Sequence, residues 1–107
     1  MTVASGTESR LQSLLDLYRE GYRSAVVDQA LSKLVNLEIE QCRTDLKRLE
    51  ERLAMYERQA GMRSAEFYGR FQAAELGDDM DLVEWSVFWE MHQAAEQRLK
   101  HLVQETA

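Results

Sequence analysis

Ile39, Cys42, Leu46, Leu49, Leu53, Tyr56 and Ala60 follow one another at gaps that alternate between three and four residues. An unbroken alternation of this kind is a coiled-coil seam, because it keeps one narrow apolar line on one side of a helix. The chain contains no proline, so nothing forces such a helix to kink. Val27, Leu31 and Val35 lead into the seam in steps of four. Ser24 stands where an N-cap belongs, with Asp28 near the positive end of the helix dipole. Gly61 stands where a helix of this kind stops. The expected helix from Ser24 to Ala60 would be ~55 Å long at ~1.5 Å per residue.

Shorter elements flank it. Residues 1–8 are small and polar and are expected to be flexible. Leu11, Leu14, Leu15, Leu17 and Tyr18 then lie mostly on one helical face, over a helix from Arg10 to Glu20 that Gly21 ends. Ser64 is placed to cap a short third helix carrying Phe67, Tyr68 and Phe71. Asp81 heads the last helix, and Glu84 three residues later makes a near capping box. A second heptad stripe follows on that helix: Trp85, Phe88, His92, Ala95, Leu99 and Leu102. The reading is an all-α chain in three parts. Residues 1–8 form the flexible N-terminus, 9–60 hold the N-terminal helix and the long coiled-coil helix, and 61–107 hold an acidic aromatic loop, a short helix and the C-terminal helix. Two heptad helices joined by about twenty residues can fold back as an antiparallel coiled-coil hairpin.

One hairpin buries little surface by itself. The long helix also has apolar residues off its seam, including Val26, Leu34, Leu37 and Met55. A homodimer is therefore expected, with Ile39, Cys42, Leu46, Leu49, Leu53 and Tyr56 as its dimerisation seam. Its orientation stays open. Parallel pairing would oppose Glu38 to Arg43 and Arg52 to Glu57, but also Asp45 to Glu50.

Charge is distributed unevenly. Residues 1–70 carry eleven basic and eleven acidic side chains, and residues 71–107 carry two basic and eight acidic. The whole formal charge of −6 therefore falls in the last third. The stretch FYGRFQAAELGDDMDLVEW interleaves that acid with large aromatic residues. Acid set among aromatics suits a surface that grips a basic protein, because aromatics dominate binding hot spots and complementary charge steers encounter. The candidate partner-binding residues are Phe67, Tyr68, Phe71, Glu75, Asp78, Asp79, Glu84 and Trp89. Acids also cap helices and aromatics also fill cores, so each residue has a structural alternative.

The same balance argues against direct nucleic-acid binding, which needs clustered Lys and Arg. No apolar run approaches membrane-spanning length. The single cysteine, Cys42, precludes an internal disulfide and fits a reducing cytoplasm, and MTVASGTESR lacks the pattern of a signal peptide. Catalysis finds little support, and no cofactor or metal is expected. His92 falls on the apolar seam, as a hydrogen-bonded core or interface histidine would, and His101 sits beside Lys100. A di-iron bundle needs a glutamate three residues before a histidine. Trp89 and Arg98 occupy those places. Asp78, Asp79, Asp81 and Glu84 lack the spacing and central glycine of a calcium loop. The five glycines are isolated and punctuate helices rather than cradle phosphate.

Two segments resemble known families. LQSLLDLYREGYRSAVVDQALSKLVNLE is similar to the helical part of ribbon-helix-helix antitoxins of the ParD type, through Gly21, Tyr22, Ser24, Val26, Val27, Ala30, Leu31 and Leu34. The DNA-reading strand of that family precedes the first helix. Here that position holds MTVASGTE, without Lys or Arg. EFYGRFQAAELGDDMDLVEW resembles the tail of short bacterial coiled-coil proteins, some of which are encoded beside small toxins of the TumE or RelE kind, as their antitoxins. The resemblance implies an interaction protein that covers a basic toxin and assigns no catalytic residue. The alternatives are a structural oligomerisation or adaptor protein, in which the aromatics only close a core, and a DNA-binding repressor with a reduced ribbon.

Overall fold

The computed structural model describes residues 3–106, with side chains from 6 to 104. Four helices appear among them and no strand: α1 (Val3–Arg19), α2 (Ala25–Ala60), α3 (Ser64–Gln72) and α4 (Met80–Thr106). No helix among the described residues is long and apolar enough to cross a membrane. The chain divides into two compact units, Met1–Leu34 and Val35–Ala107, and α2 contributes to both.

In the first unit, α1 begins at Val3, inside the stretch expected to lie outside any helix. It ends in a Schellman turn. The Gly21 N–H donates to the Tyr18 carbonyl at 3.1 Å, and the Tyr22 N–H donates to the Leu17 carbonyl at 3.0 Å. Gly21 has φ +103°, a conformation that a side chain would strain. Ser24 caps α2 as its sequence position predicts: its hydroxyl accepts the Val27 N–H at 3.3 Å. Tyr18 ties the two helices. Its hydroxyl accepts the Ser24 N–H at 3.1 Å and donates to the Asp28 carboxylate at 2.6 Å. The Arg23 guanidinium covers the Tyr18 ring at 4.9 Å. The hydrogen bond to Asp28, with burial second, pushes the Tyr18 phenol above its ordinary value. The apolar side of this unit is thin. Leu14, Val27 and Leu31 are half-buried, and none of the described side chains from 6 to 34 is fully buried.

The second unit holds the core. Cys42, Leu46, Leu49 and Leu53 on α2 are buried, and Ile39 and Tyr56 are half-buried. Leu46 and Leu49 pack with Ala95, against Phe88 and Leu99. Leu53 packs with Phe67 and Trp85, against Tyr56, Phe71, Leu82 and Trp89 among others. Leu46, Leu49 and Leu53, the middle of the seam assigned to a homodimer, therefore pack within one chain. The stripe of α4 has the same heptad period as that of α2 and covers it first. Ala60, at the end of the seam, is exposed.

Two caps differ from expectation. Ser64 lies inside α3 rather than before it, and Arg63 precedes the helix in an extended conformation with no side-chain cap. The Ser64 N–H instead donates to the Glu57 carboxylate at 2.8 Å, so a residue of α2 satisfies the start of α3. The buried Ser64 hydroxyl accepts the Trp85 indole N–H at 2.9 Å. At the other end of the loop, α4 begins at Met80, one residue before Asp81. The Glu84 carboxylate does not reach back to close a capping box; it accepts the Tyr56 hydroxyl at 2.9 Å. Between α3 and α4 the chain turns through Ala74, whose φ of +60° is the left-handed value usually given to glycine.

Candidate functional site

The candidate partner residues separate into an inside and an outside. Phe67 exposes 0% of its surface and Trp85 2%. Their rings stack with centroids 3.8 Å apart and parallel planes. Tyr56 stacks on the Trp85 ring at 5.7 Å, and Phe71 tilts against Phe67 at 5.5 Å. Phe67 is thus the centre of an aromatic pile and offers a partner nothing. That corrects its assignment as a contact residue. The physical reason is that α3 is short, and its large rings supply most of the apolar surface that can anchor it to the core. Phe71 is half-buried in the same pile. Trp89 is half-buried, with its ring on His92 at 5.6 Å and nearly parallel.

His92 is the satisfied core histidine that its seam position predicts. It is buried, with Nε2 3.0 Å from the Glu50 carboxylate. The Gln93 side-chain amide lies 3.3 Å from its Nδ1.

The acidic residues face outward. Glu75, Asp78, Asp79, Asp81 and Glu84 are all exposed. Glu75 and Glu66 each come within about 4 Å of the Arg70 guanidinium, as exposed pairs that add little stability. Asp79 and Asp81 line a shallow cleft of about 240 Å³ with Tyr56, Gln59 and Leu82. Among the described residues no three His, Cys, Asp or Glu side chains converge as a metal site would require.

Tyrosine hydroxyls join the inside to the outside. Tyr56 of α2 reaches Glu84 at 2.9 Å, and Tyr68 of α3 reaches Glu90 at 2.6 Å. Burial, then the bond to Glu84, pushes the Tyr56 phenol up. The bond to Glu90, then burial, does the same for Tyr68. Each ring packs against the core while its hydroxyl fixes an exposed carboxylate on α4.

Between those two carboxylates lies a feature that the sequence reading missed. Met80, Val83, Val87 and Met91 are exposed on α4, and Ala94 continues the line. Their gaps of three and four could have been read beside the Trp85 stripe, but the aromatic stripe dominates the pattern. Met91 and Ala94 also line a largely apolar groove of about 430 Å³ with Asp45, Arg48, Leu49 and Arg98. Comparison with protein families, with curated proteins and with solved structures finds no match for this chain.

Proposed function

We propose that this chain is a non-catalytic protein–protein interaction module, the antitoxin component of a bacterial toxin–antitoxin pair, acting in the cytoplasm. In this reading its acidic C-terminal third covers a basic, RNA-cleaving toxin and competes with RNA for the toxin's surface. The observation that carries it is the outward placement of Glu75, Asp78, Asp79, Asp81 and Glu84 in a stretch of sequence, 71–97, that holds no Lys or Arg, with Arg70, among the described residues, pairing Glu75 alone of the five. Such a field attracts a basic protein and speeds its encounter. The resemblance of the 66–85 segment to tails of antitoxin-like proteins points the same way.

The core of the second unit supports an antiparallel coiled-coil hairpin. Tyr56 meets Glu84, Glu50 meets His92, and Leu46 and Leu49 meet Ala95, so positions descend along α2 as they ascend along α4. The homodimer moves to the first unit. Leu11, Leu15, Leu17, Val26 and Leu34 stay exposed there, and a unit below ~40 residues seldom folds without help. Residues 1–34 carry four basic and four acidic side chains, so two copies can meet there without net repulsion.

An adaptor protein is the second reading, favoured by the burial of Phe67 and Trp85 in the core. Co-expression with the protein encoded by the adjacent reading frame, followed by pull-down and a growth assay, separates the two. Capture of a small basic protein whose toxicity is relieved supports the antitoxin. A harmless or absent neighbour supports the adaptor.

A further inference from the structure

We propose that the exposed stripe Met80, Val83, Val87, Met91 and Ala94 of α4 is the seat of a basic amphipathic helix presented by the partner. This rests on the reading of the chain as a module that binds a basic protein, and it names the surface and the binding mode.

The stripe runs ~21 Å, about four helical turns at ~1.5 Å per residue. Counted from Val87, Val83 and Met91 lie four residues away, about 40° to either side at ~100° per residue. Glu84 and Glu90 lie three residues away, about 60° to either side. An apolar line therefore runs between two carboxylates, one at each edge. Both carboxylates are held, Glu84 by Tyr56 from α2 and Glu90 by Tyr68 from α3. A phenol that donates one hydrogen bond leaves a carboxylate its charge and its remaining lone pairs. The edges are thus charged, exposed and fixed before any partner arrives, which lowers the ordering cost of binding.

A helix is the occupant that matches this shape. Gaps of three and four present knobs to a facing helix, whose own apolar line sits between two flanks. Those flanks would meet Glu84 and Glu90, so they should carry Lys or Arg. At the C-terminal end of the stripe the groove beside Met91 and Ala94 has room for a large apolar side chain. A second copy of this chain is a poor occupant. Residues 35–107 carry the full −6, and face-to-face copies would oppose the acidic edges at Glu84 and Glu90 to their own kind.

The test uses the full chain and three synthetic helical peptides of about four turns. One has a leucine seam edged with lysines, one has the same seam edged with glutamates, and one has the lysine peptide's composition in scrambled order. Fluorescence anisotropy at low and moderate salt reads binding. The lysine-edged peptide should bind at least about tenfold more tightly than the other two. The paired change Val87→Lys and Met91→Lys should weaken it at least about tenfold with helicity and melting unchanged, since both side chains are exposed. The paired change Glu84→Gln and Glu90→Gln should weaken it several-fold and flatten its salt dependence. Equal binding of all three peptides, or undiminished binding by the lysine variant, overturns the proposal. So does conversion of a native dimer to monomer by the lysine variant, because the stripe would then be the seam between copies. The adjacent-frame protein separates this failure from that of the wider reading. If the lysine variant still captures it, the stripe is wrong and the module stands. If the native chain captures no basic protein, the wider reading falls.

Discussion

Phe67→Ala should strongly destabilise the second unit, although Phe67 lies in the segment that looks most like a binding surface. The ring is wholly buried, 3.8 Å from the Trp85 ring and 5.5 Å from the Phe71 ring. Truncating a buried phenylalanine to alanine costs ~3–5 kcal/mol, from lost transfer energy and the cavity left behind. A domain of this size is stable by ~5–15 kcal/mol, so the loss removes a large part of the total. With an m-value of ~2 kcal/mol per molar urea, the unfolding midpoint should fall by ~2 M. Far-UV circular dichroism follows the helices, and tryptophan emission follows Trp89 and Trp85, the second of which sits directly on the missing ring. Phe67→Leu keeps most of the volume and should cost ~1–2 kcal/mol, which leaves a folded variant to measure if the alanine form does not fold. The reasoning fails if Phe67→Ala shifts the midpoint by under ~0.5 kcal/mol equivalent and yet abolishes partner binding. Phe67 would then be a contact residue that the core does not need.

Ala74→Gly should stabilise the protein by about 1 kcal/mol, because a left-handed φ costs alanine about that much and glycine almost nothing; a lower melting temperature would refute it. Asp78→Asn with Asp79→Asn should change stability by less than ~0.5 kcal/mol. The same change should slow association with a basic partner and reduce its salt dependence, as stopped-flow mixing would read. Leu15→Glu with Leu34→Glu should abolish the proposed dimer and lower the helicity of the first unit while the core of the second stays folded, measured by sedimentation and circular dichroism; a dimer that survives would place the interface elsewhere. Tyr18, Tyr56 and Tyr68 have phenols raised above the ordinary value of 10.0. The unfolded chain ionises first as pH rises, so their contribution is fully present below about pH 10 and is lost as pH climbs through the raised folded values. Melting temperature should therefore drop above about pH 10, and less so in Tyr56→Phe, whose loss of slope tests the assignment.

The long helix was legible because a 3–4 alternation can be kept only by a helix with one buried side. What buries that side was legible only in part, since the C-terminal helix and a second copy were both expected against it. Periodicity shows that Leu46, Leu49 and Leu53 are covered, but it does not distinguish a second copy from α4. Ser64 shows a similar limit. Local rules give a serine at a helix start a capping role, whereas Trp85, twenty-one residues on, takes its hydroxyl instead. The interleaving of acid and aromatic residues from 67 to 90 is only partly kept in space, where Tyr68 still meets Glu90 but Phe67 and Phe71 part from the acids. Helix α3 turns Phe67 and Phe71 inward, four residues apart on one face. The acids fall in the loop after it and on the outer side of α4. His92 was read correctly because a histidine on an apolar seam must find a partner, and Glu50 lies within its reach.

Tyrosine at 56 and 68 connects the fold to the proposed activity. Phenylalanine would fill the same core space, since both rings are only half-buried. The hydroxyl adds a hydrogen bond of modest net worth, ~1 kcal/mol or less at an exposed carboxylate. Stability alone therefore gives little reason for it. Its larger consequence is positional. Glu84 and Glu90 would otherwise sample several rotamers each, and ordering a glutamate side chain costs up to ~1.5–2 kcal/mol. Fixing both in the free protein removes most of that cost from the binding step. The two carboxylates stand on opposite edges of one apolar line, held from α2 and from α3, so the rigidity of the core is transmitted to the charges that would meet a partner. A destabilised core should then weaken recognition before the chain unfolds.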